Sequence, residues 1–144
     1  MEQIDDVDWK IIHELKRDSR LSARELAKRT KLSSATINRR IRKLEDTGII
    51  KAYTLSLNYE KLGKETVAYV LIRAKPGANY SPTMDDMANR EEIEDIGAIA
   101  GEFDLIVKIR VAGIKELDDF VFNYLRKFPA ITQTQTLIVM RNWK

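Results

Sequence analysis

The chain has 144 residues, room for one ordinary domain or two small ones, and its apolar runs are strand-sized, far short of the roughly 20 residues of a membrane span. With no cysteine, disulfides and thiolate-bound metal are excluded, and the acidic start MEQIDDVDWK lacks the apolar core of a secretory signal, so the cytoplasm is the expected location. The net charge is only +3 but uneven: residues 1–52 hold 13 Lys and Arg against 9 Asp and Glu, residues 53–144 hold 12 against 13, and Lys16 to Lys43 alone hold 11 against 2, so one end is expected to meet an anion.

In chain order, Asp5 caps a first helix whose Val7, Ile11, Ile12 and Leu15 fall on one stripe. The stretch SRLSAR breaks it. Ser22 and Glu25 then form the S-x-x-E capping box of a short second helix through Leu26 and Ala27. Ser33 or Ser34 caps a third helix, with Ile37, Ile41 and Leu44 at helical spacing and Gly48 as a left-handed stop. IIKAYTLSLN alternates as a strand does, predicting a β-wing or connecting strand, and NYEKLGKE marks the domain boundary. This divides the chain into a basic helical part over 1–52, a connecting strand and linker over 53–63, and a second domain over 64–144.

TVAYVLIRA reads as a strand, SP opens a helix from Pro82 to about Arg90, IEDIGAIA is a second strand and GEF a tight turn. In DLIVKIRV, Leu105, Val107, Ile109 and Val111 share one face. A helix over 114–128 carries Ile114, Leu117, Phe120, Val121, Tyr124, Leu125 and Phe128 on one stripe, Pro129 stops it, and TQTQTLIVM closes as a strand. The order β-α-β-β-α-β is ferredoxin-like, so the fold class is α+β, with a winged helix-turn-helix ahead of a ferredoxin-like domain. Helices cover one face of such a sheet; a homodimer through the other is the simplest way to cover it.

The third helix keeps its apolar and basic faces apart. Ala35, Arg39 and Arg42 lie opposite Ile37, Ile41 and Leu44, with Asn38 and Lys43 flanking and Arg40 nearer the edge. Arg suits guanine edges and phosphate oxygens because its planar fork makes paired hydrogen bonds. Ser33, Ser34 and Thr36 stand at the helix N-terminus, where backbone N–H groups favour phosphate. The plain alternative is a solvated basic face, but capping box, turn, short helix and wing follow here in order.

DDVDWKIIHELKRDSRLSARELAKRTKLSSATINRRIRKLEDTGIIKAY resembles the N-terminal winged helix-turn-helix of the Lrp/AsnC transcription regulators, and GEFDLIVKIRV with TQTQTLIV resembles the family's effector domain, the RAM domain. Ser34 departs from the pattern, standing where many members have proline. The resemblance implies double-stranded DNA as partner and an amino acid or related metabolite held between subunits as effector. It also implies a homodimer that can assemble into tetramers or octamers. Its effector motif, Gly-x-aromatic-Asp, falls on Gly101, Glu102, Phe103 and Asp104. Gly101 would admit a carboxylate to backbone N–H groups, Asp104 would pair an ammonium, and Thr132, Thr134 and Thr136 would add hydroxyls from one strand face. Read without the resemblance, the same residues are a β-turn and a threonine-rich strand.

Catalytic residues, cofactors and metal ligands are not expected. His13 is the one histidine, the pairs Asp85–Asp86 and Asp118–Asp119 diverge on helices, and Trp9, Phe120, Phe122 and Trp143 read as packing residues. The rival readings are a winged helix that binds protein, an architectural DNA binder without effector, and a ferredoxin-like enzyme.

Overall fold

The computed structural model describes residues 4–142 and divides into two compact units between Ser56 and Leu57. Trp143 lies outside the described residues.

The first unit contains α1 (Asp6–Arg17), α2 (Ala23–Thr30) and α3 (Ser34–Asp46). Asp5 accepts the N–H groups of Val7 and Asp8, each at 3.0 Å, and Asp8 takes the Asp5 N–H in return at 3.3 Å. Ser22 and Glu25 reciprocate in the same way at α2. Such caps are each worth about 0.5–2 kcal/mol because they satisfy donors that no helical carbonyl can reach. Lys31, at φ 60°, ends α2 in the left-handed region, and Ser33 caps α3 two residues on. That short turn sets α3 across α2. Ile11, Leu15, Leu26, Ile37 and Leu44 are buried between the three helices, each contributing about 1.5–3 kcal/mol of burial. Gly48, at φ 71°, turns the chain so that the Ile50 N–H closes on the Leu44 carbonyl at 2.9 Å.

The expected wing strand does not pair. Among the described residues, 51–58 join no ladder, and Tyr53, Leu55 and Leu57 are 50, 82 and 46% exposed. The alternation is present, but no described strand pairs with it.

The second unit follows β1 (Thr66–Ala74), α4 (Ser81–Ala88), β2 (Ile93–Ala98), β3 (Leu105–Val111), α5 (residues 114–127) and β4 (Ile131–Ile138). All neighbouring strands are antiparallel in the order β2-β3-β1-β4, the ferredoxin-like sheet. Ala68, Val70 and Ile72 face the same side as Leu105, Val107, Ile109 and Val111, and Met87 of α4 with Leu117, Phe120, Tyr124 and Leu125 of α5 completes that core. The opposite face carries half-buried Val67, Tyr69, Leu71 and Ile106.

Helix α5 differs from a uniform helix. It is α-helical over Ile114–Asp118, widens to π-helical winding over Asp119–Tyr124, and tightens over Leu125–Lys127. The Leu125 N–H bonds the Phe120 carbonyl five residues back, so the extra residue keeps Phe120, Tyr124 and Leu125 all inward. Phe122, which lies off that stripe, is 49% exposed, and Ile114, the first residue of the helix, is 60% exposed; neither packs as expected. Trp9 is also half exposed, lying 5.9 Å from the exposed His13 ring.

Candidate nucleic-acid interface and effector loop

The hydroxyl of Ser33 caps α3 by accepting the Thr36 N–H at 3.1 Å and shares a hydrogen bond of 2.8 Å with the Thr36 hydroxyl. Both oxygens are therefore engaged at the helix start, which leaves one hydroxyl hydrogen of the pair, the exposed Ser34 and the remaining first-turn N–H groups toward solvent. Because Ile37 and Leu44 are buried, the opposite side of α3 must point outward. Ala35, Asn38, Arg39, Arg42 and Lys43, with Asp46 and Thr47, line a shallow concavity of about 580 Å³. Arg39 and Arg42 are exposed and have no hydrogen-bond or ion-pair partner among the described residues.

Arg40 is placed differently from its neighbours. Its side chain turns to α1 and donates to Asp5 at 2.6 Å and to both oxygens of Asp8 at 3.2 Å. The hydrogen bond to Asp5 raises the Arg40 pKa above its ordinary value, and the Asp8 N–H, then Arg40, hold the Asp5 carboxyl below its own. Lys43 stands 3.7 Å from Asp8. Arg29 similarly bonds Glu14 at 2.8 Å, which ties α2 to α1. Part of the basic run thus holds the helices together. The signals for this in the sequence are an aspartate three residues after the cap of α1 and the position of Arg40 beside the apolar stripe.

In the second unit the Gly101–Asp104 turn sits at the end of β1. Gly101 adopts φ 154°, a backbone that side-chain-bearing residues rarely take. The Asp104 carboxylate accepts the Ala74 N–H at 2.7 Å, and its own N–H bonds the Ile72 carbonyl at 3.0 Å. Phe103 is buried, with the Arg73 guanidinium 5.4 Å above its ring. Arg73 also binds the Glu102 carbonyl at 3.0 and 2.8 Å and its carboxylate at 3.0 Å. Sequence reasoning misses Arg73, since nothing in TVAYVLIRA sets it apart from an ordinary strand-end cation.

The three threonines do not act together. Arg73 lies opposite Gln133 and Ala74 opposite Ile131, so Thr132 is the extra residue of a bulge, and its hydroxyl donates to the Arg73 carbonyl at 3.1 Å. Thr134 and Thr136 lie opposite Ile72 and Val70, on the helix-covered face. Only Thr132 joins the turn. Among the described residues no cluster of three or more His, Cys, Asp or Glu side chains is placed to hold a metal, and no helix is long and apolar enough to cross a membrane.

A helix-turn-helix with an exposed cationic face, joined to a βαββαβ domain with a built turn at one sheet end, defines a DNA-binding regulator with a ligand-binding domain. Residues 4–51 match the winged helix-turn-helix DNA-binding family model, and residues 67–144 match the Lrp/AsnC ligand binding domain. The chain belongs to the Lrp/AsnC family of transcription regulators. It is 36% identical to the HTH-type transcriptional regulator FL11 of Pyrococcus horikoshii over 141 residues, which span 98% of this chain and 92% of that protein. The structure of LrpC from B. subtilis superposes with a TM-score of 0.87 at 34% identity, covering 99% of this chain and 98% of that one. The fold is also shared with NMB0573 of Neisseria meningitidis, solved as a complex with L-Met, at a TM-score of 0.93 and 24% identity over 99% and 93% of the two chains.

Proposed function

We propose that the chain regulates transcription by laying α3 in the major groove, with Arg39 and Arg42 reading base edges beside Ala35 and Asn38. Lys43, Ser33, Ser34, Thr36 and the first N–H groups of α3 then meet phosphates. Arg40 is not among the DNA ligands because its guanidinium is already held by two carboxylates. The observation that carries this reading is the outward pair Arg39 and Arg42, two cations with no partner among the described residues on a face with no large apolar side chain to bury.

The second unit senses an amino acid at the Arg73–Gly101–Asp104–Thr132 end of the sheet and does not turn it over. A free amino acid carries one carboxylate and one ammonium, and this sheet end offers an arginine and two carboxylates within one hydrogen-bonded group. The L-Met held by NMB0573, which has the same fold, supports an amino acid as the ligand class. Two copies pair through the half-buried open sheet face, so two α3 helices are presented to DNA with twofold symmetry. Such a regulator works in the compartment that holds the DNA, the cytoplasm of its prokaryotic relatives.

Selection of bound duplexes from genomic fragments, with and without a pool of amino acids, tests this directly. Recovered sites should be near-palindromic, with half-sites about one helical turn or a multiple apart. Recovery of unrelated sequences at equal affinity would refute the sequence-reading role.

A further inference from the structure

Arg40 and Lys43 belong to the recognition helix, yet both lie against the start of α1. Asp8, which they face, is fully buried, whereas the Arg40 and Lys43 side chains are 22 and 29% exposed. The two carboxylates that receive Arg40 are the two that close the α1 capping box, so their positions are fixed by backbone N–H groups at the start of α1 itself. Two carboxylates and two cations then nearly cancel. Apolar contact through Ile37, Ile41 and Leu44 sets how deeply α3 sits, but such contact is non-directional and leaves the helix free to roll. A guanidinium held by two fixed carboxylates is directional, and it resists rotation about the helix axis.

We propose that Asp8, with Asp5 and Arg40, is a positioning device that sets the roll of α3 and hence the aim of Arg39 and Arg42, and that Arg40 does not touch DNA. The inference rests on α3 being the DNA-reading helix. Its consequence has an unusual sign. Asp8→Asn removes a negative charge from behind a DNA-facing helix, so charge alone predicts tighter binding to every duplex. A loss of aim predicts weaker binding to the selected site and no weakening on other DNA.

The test uses the full chain, a duplex recovered by the genomic selection and a scrambled duplex of equal length, each titrated across salt. Asp8→Asn should lower the ratio of selected to scrambled affinity about tenfold, the scale of one bidentate pairing with a base. Arg40→Lys, which keeps the charge and loses the fork, should lower that ratio alike. Arg40→Gln should leave the salt slope unchanged, whereas Lys43→Gln, which removes a phosphate contact, should reduce it by about 0.9 for each phosphate that is no longer neutralised. An unchanged ratio in Asp8→Asn with tighter binding to both duplexes would overturn the proposal. So would an Arg40→Gln slope that falls as Lys43→Gln does. If Asp8→Asn does not fold by circular dichroism, Arg40→Lys and Arg40→Gln decide the matter. Failure of the underlying reading shows separately, as an Arg42→Gln variant that binds like the wild type, and it takes the positioning role with it.

Discussion

Asp104→Ala and Asp104→Asn together separate what the effector turn does for the fold from what it does for a ligand. The carboxylate accepts the Ala74 N–H at 2.7 Å, so its removal leaves one strand-end donor without its protein partner. Hydrogen bonds to charged groups contribute about 1.5–3 kcal/mol. Asp104 is exposed and water can replace it, so about 1 kcal/mol is the expected loss for Asp104→Ala. For a unit the size of Leu57–Lys144 that lowers the melting temperature by about 4–8 °C. Asp104→Asn keeps a carbonyl acceptor for Ala74 and should melt within about half that interval of the wild type. The ligand sees the substitutions otherwise: both remove the negative charge that would pair an ammonium, which weakens amino-acid binding about 10- to 100-fold. Calorimetric melting of the three proteins, and isothermal titration with each of the twenty amino acids, read the two effects independently. An Asp104→Asn variant that binds an amino acid as tightly as the wild type would remove the ammonium from this carboxylate. An Asp104→Ala variant that melts like the wild type would refute the structural half.

On the selected site, Arg39→Ala or Arg42→Ala should each cost about 1–3 kcal/mol and relax base preference at one position, measured by binding to single-substitution duplexes. Leu26 is fully buried between the three helices, and Leu26→Ala should cost about 2–5 kcal/mol in denaturant unfolding, with DNA binding falling in proportion to the unfolded fraction. Asp5 and Glu25 are held below their ordinary values of 3.8 and 4.5, Asp5 first by the Asp8 N–H and Glu25 first by the Ser22 hydroxyl. Their contribution is therefore complete above those values and is lost as pH falls through the lower, folded-state ones. Denaturant unfolding at stepped acid pH should show the helix-turn-helix losing stability as pH falls through the range of these two carboxylates, and an Asp5→Asn/Glu25→Gln variant should show a shallower pH dependence there.

Local chemistry makes much of this molecule readable in advance. Ser22 and Glu25 announce a capping box because both partners lie within one turn, and Gly48 announces a stop because its conformation excludes most side chains. The alternation of Leu105, Val107, Ile109 and Val111 maps onto a buried face because strand geometry has a period of two. What is not legible depends on distant or cumulative effects. The partners of Arg40 lie 35 and 32 positions away, so a residue that reads as a phosphate ligand is an internal tie. One extra residue in the bulge at Thr132 separates it from Thr134 and Thr136, although all three share a parity in the sequence. The segment 51–58 has strand chemistry without a ladder, because pairing needs a second strand and none of the described residues supplies it.

The central claim is that the cationic face of α3 binds duplex DNA through phosphates and guanine edges. The affinity of the full chain for a selected duplex, measured against salt, tests it most directly. With roughly 6–10 phosphates neutralised per dimer, the logarithm of the binding constant should fall linearly against the logarithm of salt concentration, with a slope of about −5 to −9. The slope should become shallower in Lys43→Gln. A response that stays flat across salt, or a slope that Lys43→Gln leaves untouched, would contradict the account.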